Sequence, residues 1–239
     1  MPVQIEISER MLIEGFKLTF IGHASFLVEI EDKKILLDPF FAEKFWWKNH
    51  YEHRITPLRV KLEELPCPKI ILITHDHGDH FDIEAVLKIS SRCNGVLVYS
   101  TKSVVDQLTR KGVENCFTVE RNHPIRLNRV KIVPIQNEEE SPDKYSFLIE
   151  SNNRKLFYSG DCHKVPPDLP KATDTIDVLI IWPVEKVLED FLKTFTINNI
   201  VLMHYDKFKP GDFICNINPK EFKNRFAQKY PKVNIIIPE

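Results

Sequence analysis

The stretch ITHDHGDHFD, residues 73–82, places three histidines and three aspartates in ten positions, directly behind the apolar Ile70-Ile71-Leu72. A short apolar run that ends in a polar loop reads as a buried strand with an exposed exit. Such an exit can aim closely spaced side chains into one cleft. His75, His77, Asp79 and His80 are then candidate metal ligands, with zinc, manganese or iron as the ions that imidazole and carboxylate suit. The lack of thiolates in the stretch argues against a structural zinc finger. A merely solvated loop is the plainer alternative. Five ligand-type residues among the six at 75–80 weigh against it.

Upstream, Phe16–Ile21, Ser25–Ile30 and Ile35–Leu37 read as consecutive antiparallel strands, the last ending at Asp38-Pro39. Segment 40–66 carries aromatics among charges and reads as a partly packed loop or short helices, a candidate pocket wall. Downstream come a helix over 83–90, a strand over 96–100, and a helix over 103–111 closed by Gly112. Strands follow near 117–119, 130–135, 145–149 and 156–159. Strand 178–182, helix 184–193 and strand 200–203 come next. Asn218-Pro219 opens a helix to Lys229, and 233–237 is a last strand. Strands, then strand–helix units, occur twice. Two similar αβ halves with facing sheets fit that order better than one doubly wound sheet. No linker divides the chain, so residues 1–239 read as a single domain.

Composition narrows the function classes. Thirty-three basic residues face 34 acidic ones, for a formal net charge of −1. That balance gives no footprint for nucleic acid or a membrane surface. The N-terminus lacks a signal-peptide apolar core, and no apolar run has the length of a spanning helix. Cys67, Cys93, Cys116, Cys162 and Cys215 show no CxxC spacing. They read as reduced thiols of a cytoplasmic protein. No GxSxG elbow, P-loop or Rossmann glycine pattern is present.

His75-Asp76-His77-Gly78-Asp79-His80 resembles the HxHxDH motif of the metallo-β-lactamase superfamily. The series of Asp38, this motif, Gly160-Asp161 and His204 is similar to that superfamily's motif order. Gly22-His23-Ala24-Ser25-Phe26 and Met203-His204-Tyr205-Asp206 look like the branch of ascorbate-6-phosphate lactonase and its metal-dependent hydrolase relatives. N-acyl phosphatidylethanolamine phospholipase D is a more distant likeness. The resemblance implies a four-layer αβ/βα sandwich, two facing mixed sheets flanked by helices. It also implies His75 and His77 on one metal, Asp79, His80 and His204 on a second, and Asp161 bridging. Asp38 would orient a ligand from behind.

The family expects one more histidine on the first metal, at the end of the strand Val130–Asn137. Asparagine stands there, and the nearest histidine, His123, precedes the strand. Asn137, or Gln136 in a register one residue off, offers only a neutral carbonyl oxygen. Glu138, Glu139 and Glu140 follow, by default a solvated acidic turn, with one able to swing in as a hard oxygen ligand. Either change shifts the first site towards manganese, magnesium or partial occupancy.

The chemistry implied is hydrolysis of a small ester, lactone or phosphate-bearing substrate with one or two zinc ions, manganese being the alternative. Asp79 or Asp161 would take a proton. A non-catalytic or sensory protein with a degraded metal site is the competing reading, and a nuclease is disfavoured by the charge. His23 reads either as a group behind the ligands or as a structural histidine. His163 is a candidate proton donor or substrate contact. His50, His53 and His123 read as solvent-facing, Cys162 as a packed small residue, and Trp46 and Trp47 as loop anchors.

Overall fold

In the run at 70–73, Ile70 and Leu72 pack into one buried cluster while Ile71 and Ile73 pack into another. Successive strand side chains point to opposite faces, so a strand buried on both sides must be apolar throughout. The first cluster is the interface between two sheets and the second lies under helices. The computed structural model describes residues 10–138, 141–211 and 217–239, with 141 and 142 described by backbone only. The expected acids Glu139 and Glu140, Cys215 and the first nine residues lie outside the described set.

Within that set, two seven-stranded sheets share one plan. In the first, Arg10–Ile13, Phe16–Gly22, Ser25–Ile30 and Lys33–Leu37 pair antiparallel in order. Ile70–Leu72, Leu97–Ser100 and Cys116–Thr118 then add in parallel. In the second, Ile125–Leu127, Val130–Glu138, Ser141–Ser151 and Arg154–Tyr158 are antiparallel. Thr175–Ile181, Thr196–Leu202 and Asn234–Ile236 follow in parallel. The halves repeat in topology although their sequences do not. Phe16, Leu18 and Phe26 of one sheet meet Phe147, Leu156 and Val178 of the other in a single core. Val86, Ile89, Val104 and Leu108 cover the outer face of the first sheet from helices Ile83–Arg92 and Lys102–Arg110. Val187, Phe191, Phe222 and Phe226, on helices Glu185–Thr194 and Pro219–Lys229, complete the packing on the second. This is the expected αβ/βα sandwich. Among the described residues no helix is long and apolar enough to cross a membrane.

Two expectations need correction. Segment 40–66 is not loop and helix alone: Lys44–Trp47 and His50–Arg54 form a hairpin, and Phe208–Lys209 adds to its edge. Charges and aromatics alternate there across a small sheet with only one buried side, so the apolar period is weak. Phe45 and Glu52 face inward while Trp46 and Tyr51 stay exposed. The cysteines are not all reduced either, since Cys67 and Cys93 form a disulfide with Cα atoms 5.4 Å apart. Cys67 precedes strand Ile70–Leu72 and Cys93 ends the helix that returns over it, so the fold makes a pair that spacing could not announce. The cysteines therefore no longer speak for a reducing compartment.

Candidate metal centre

The site forms where strand ends meet. His75, His77, Asp79 and His80 follow strand Ile70–Leu72, Asp161 follows Arg154–Tyr158, and His204 follows Thr196–Leu202. Their side chains converge. The Asp161 Oδ2 atom lies 3.4 Å from His75 Nε2 and 4.0 Å from His77 Nδ1. Its Oδ1 lies 3.0 Å from His80 Nε2 and 3.4 Å from His204 Nε2. Asp79 Oδ2 stands 3.2 Å from His204 Nε2 and 3.8 Å from His80 Nε2. The donor atoms thus fall into a His75–His77–Asp161 group and a His80–Asp161–His204 group that share one carboxylate, with a third group of His23, Asp79 and His204 beside them. The other acids of the opening stretch serve the fold. Asp82 caps the helix by accepting from Ala85 N, and Asp76 accepts from Ser103 Oγ on the next helix.

The donor set fits a divalent cation. His75 Nε2, His80 Nε2, Asp79 Oδ1 and Asp161 Oδ1 are buried and, apart from the ion-pair contacts with Asp161 given above, have no well-directed hydrogen bond among the described residues. Buried polar atoms are otherwise almost always satisfied, so their shared direction asks for a ligand. Electrostatics agree. Burial lowers the pKa of His77 to about 4, helped by His75 and Lys144, so its imidazole is neutral with a lone pair to give. Burial opposes charge at His80 too, yet Asp161, Asp79 and Asp38 raise it to about 10. Burial likewise disfavours ionised Asp79 and Asp161, but His80 and His204 hold both well below the usual carboxylate range. Carboxylates packed this densely call for positive charge.

Asp38 organises the ligands from behind. It is fully buried, and its Oδ2 lies 2.7 Å from His80 Nδ1, which turns His80 Nε2 towards the cluster. The same oxygen accepts from Thr74 Oγ1 at 2.7 Å, and Thr74 Oγ1 lies 2.8 Å from His75 Nδ1. One carboxylate therefore orients one imidazole directly and a second through a hydroxyl. Tyr158, whose hydroxyl lies 2.7 Å from Asp38 Oδ2, closes the network. Neither Thr74 nor Tyr158 was a sequence candidate. Each sits at a strand end beside a ligand, but nothing in the local pattern separates it from core. Thr74→Val keeps the shape and removes the relay. It is expected to weaken binding on the His75–His77 side by about 10–100-fold, read by chelator competition.

The backbone is bent to fit. His23, Asp38 and His204 have φ of +57°, +40° and +62°, values uncommon for residues with a Cβ. Such strain persists where surrounding contacts fix it and tends to gather at working sites. Gly160 has φ +50°, and a Cβ there would meet Thr74 Cγ2 at 2.8 Å. Gly160→Ala is expected to destabilise the fold by about 1–3 kcal/mol. At about 2–4 °C per kcal/mol for a chain of this size, thermal unfolding would show it.

Other candidates divide. His23 is fully buried with Nε2 3.2 Å from Asp79 Oδ2, so it belongs to the site. His163 is exposed, its ring 5.0 Å from that of Trp182, and it joins neither ligand group. Asn137 is buried, its Oδ1 2.5 Å from Ser146 Oγ, which in turn lies 2.6 Å from the carbonyl of Ser159. Ser146 thus links it to Ser159, two residues before Asp161, and Asn137 joins neither ligand group. His53 and His123 are exposed, but His50 is half-buried, 2.9 Å from the buried Glu52. Burial pushes the Cys162 thiol up to about 12, so it stays protonated and packed. Trp47 does more than anchor a loop. Its ring stands 5.9 Å from that of His77, which makes the hairpin a wall of the site.

A family model described as a beta-lactamase superfamily domain matches residues 33–196. With the HxHxDH residues directly after strand Ile70–Leu72, the chain belongs to the metallo-β-lactamase superfamily. A UPF0173 metal-dependent hydrolase of Korarchaeum cryptofilum is 26% identical over 231 residues, covering 92% of this chain and 95% of that protein. Two solved structures share the fold. Igni18, a metallo hydrolase from Ignicoccus hospitalis, is 20% identical with a TM-score of 0.69, covering 94% of this chain and 95% of that one. The isothiocyanate hydrolase from Delia radicum gut bacteria is 18% identical with a TM-score of 0.72, covering 93% and 96%.

Proposed function

We propose that the protein is a metal-dependent hydrolase, with zinc as its ion, acting on a small ester, lactone or phosphate-bearing molecule in the cytoplasm. The observation that carries this is the Asp161 carboxylate, whose two oxygens face two separate histidine pairs. A bridging carboxylate between two imidazole groups is the arrangement a two-ion centre needs. The Korarchaeum relative, named a metal-dependent hydrolase, supports the class. The isothiocyanate hydrolase shares the fold, and its substrate does not transfer at that identity.

When bound, a divalent cation supplies Lewis acidity and lowers the pKa of water to about 7. The chain's own residues do the rest. Asp38, Thr74 and Tyr158 hold the imidazoles in register. Asp79, whose Oδ1 is buried without a hydrogen bond while Oδ2 meets His23 and His204, would accept the proton of the attacking water, and Asp161 faces both histidine pairs. Trp47 and the hairpin stand beside His77, whose side chain stays 38% exposed and open to an incoming molecule. The balanced charge supports neither nucleic acid nor membrane as partner. Metal analysis of the purified protein, followed by an ester and phosphodiester screen with zinc and with manganese, tests the reading. Absence of bound metal, or of any turnover with both ions, would count against it.

Asn137 favours a second reading, a non-catalytic or sensory protein with a degraded first site. One ion per chain without turnover would support it.

A further inference from the structure

A second buried charge cluster lies behind the ligands. Asp206 is fully buried two residues past His204. Its Oδ2 accepts from the backbone N–H of His23 at 2.8 Å and from Arg54 Nη1 at 3.2 Å. Arg59 Nη1 reaches its two oxygens at 2.8 and 3.0 Å. Both guanidiniums lie over aromatic rings, Arg54 4.4 Å from the centroid of Phe40 and Arg59 4.6 Å from that of Phe20. Gly22 permits the close approach, since a Cβ there would stand 3.2 Å from Asp206 Oδ2.

Buried ion clusters are weak evidence for stability, because well-packed apolar residues often serve as well. What this cluster does fix is His23. Asp206 takes its N–H, and its carbonyl accepts from His204 N at 2.7 Å. These two bonds hold the residue at φ +57°, in the turn between strands Phe16–Gly22 and Ser25–Ile30. From there His23 Nε2 lies 3.2 Å from Asp79 Oδ2, and its ring centroid is 3.9 Å from that of His204. His23 groups with Asp79 and His204 but not with the His80–Asp161–His204 set, so it meets the site through Asp79 and His204 and not through the shared Asp161 carboxylate.

We propose that Asp206 is a positioning residue for the metal centre, clamping the His23 backbone so that His23 Nε2–H donates to Asp79 and sets that ligand's direction. An outer hydrogen bond of this kind fixes the orientation of a ligand and tunes its hold on the ion. The inference rests on the metal-centre reading above. It adds residues that the ligand motif does not contain. Arg54 and Arg59 also tie this clamp to the hairpin end and the segment after it, the same hairpin that walls the site at Trp47.

The test is zinc affinity, read by competition with a chromophoric chelator, beside thermal unfolding of the metal-free protein. His23→Asn tolerates positive φ but stops short of Asp79, whereas His23→Gln can still present an N–H at the reach of Nε2. His23→Asn and Asp206→Asn are each expected to weaken the tighter zinc site by about 10–100-fold, with His23→Gln within about threefold of the parent. If Asp206→Asn does not fold, the two His23 variants decide, because both leave the Asp206 carboxylate with its arginines. Parent-like zinc affinity in folded His23→Asn would overturn the proposal, as would His23→Gln binding as weakly as His23→Asn. If the parent itself binds no zinc, the metal-centre reading fails with it; if the parent binds and His23→Asn binds equally, only this inference fails.

Discussion

His80→Ala and His204→Asn are each expected to lose the ion of the His80–Asp161–His204 group and to cut hydrolysis by about 1000-fold or more. Lewis-acid stabilisation is worth several kcal/mol, and each 1.36 kcal/mol is tenfold in rate. The fold should survive both changes, for different reasons. His80 is fully buried, but removing it leaves Asp38 with the backbone N–H of Thr74 at 2.7 Å and hydroxyls from Thr74 and Tyr158. His204 sits at φ +62°, a conformation asparagine accepts, and its backbone N–H bond to His23 O is independent of the side chain. Inductively coupled plasma analysis of metal content and a rate assay on any substrate found by screening would check the pair. Full activity in both variants would show that the reactive site lies elsewhere.

These residues were legible because ligand chemistry and strand periodicity coincide in one stretch. A doubly buried strand must be apolar at every position, so Ile70-Ile71-Leu72 announces itself, and the polar residues after it can only be loop. Helix Pro219–Lys229 was readable for a similar local reason: Asn218 accepts from the N–H groups of Lys220 and Glu221, and proline opens the helix. Groups that act through long-range contact left no local mark. Thr74 and Tyr158 look like core, although both bond Asp38. Arg54 and Arg59 look like ordinary surface charges in a segment without clear period, yet they meet Asp206 from 152 and 147 residues away. The Cys67–Cys93 pair and the hairpin escaped for the same cause. Sequence spacing carries the candidate ligands, while the fold alone brings their supports together.

The substitution with the largest expected gain is Asn137→His. In the parent, the His75–His77 group has Asp161 as its third donor, and Asn137 holds the strand-end position at which the family resemblance expects a further imidazole. The Ser146 hydroxyl has one proton and two oxygens near it, Asn137 Oδ1 at 2.5 Å and Ser159 O at 2.6 Å. It can donate to only one of them. When it donates to Asn137, the amide oxygen is already engaged; when it donates to Ser159, the amide must turn its NH2 towards Ser146 to keep the contact. Either way the amide is a poor ligand, and a borderline-soft ion such as zinc prefers imidazole nitrogen to a neutral carbonyl. The parent is therefore expected to bind one zinc tightly and a second weakly, and Asn137→His to raise metal content from about one to about two per chain, with at least about a tenfold gain at the weak site. Ser146 keeps its bond to Ser159 in the variant, so the strand end should hold. The break in register between Gln136 and Glu138 sets which side chain turns inward at this point. If the parent binds two ions with equal affinity, another residue completes the first site and Glu138 is the one to replace next. If Asn137→His still binds a single ion, an imidazole at this buried strand end does not reach the His75–His77 group and the reading of Asn137 as the missing ligand fails.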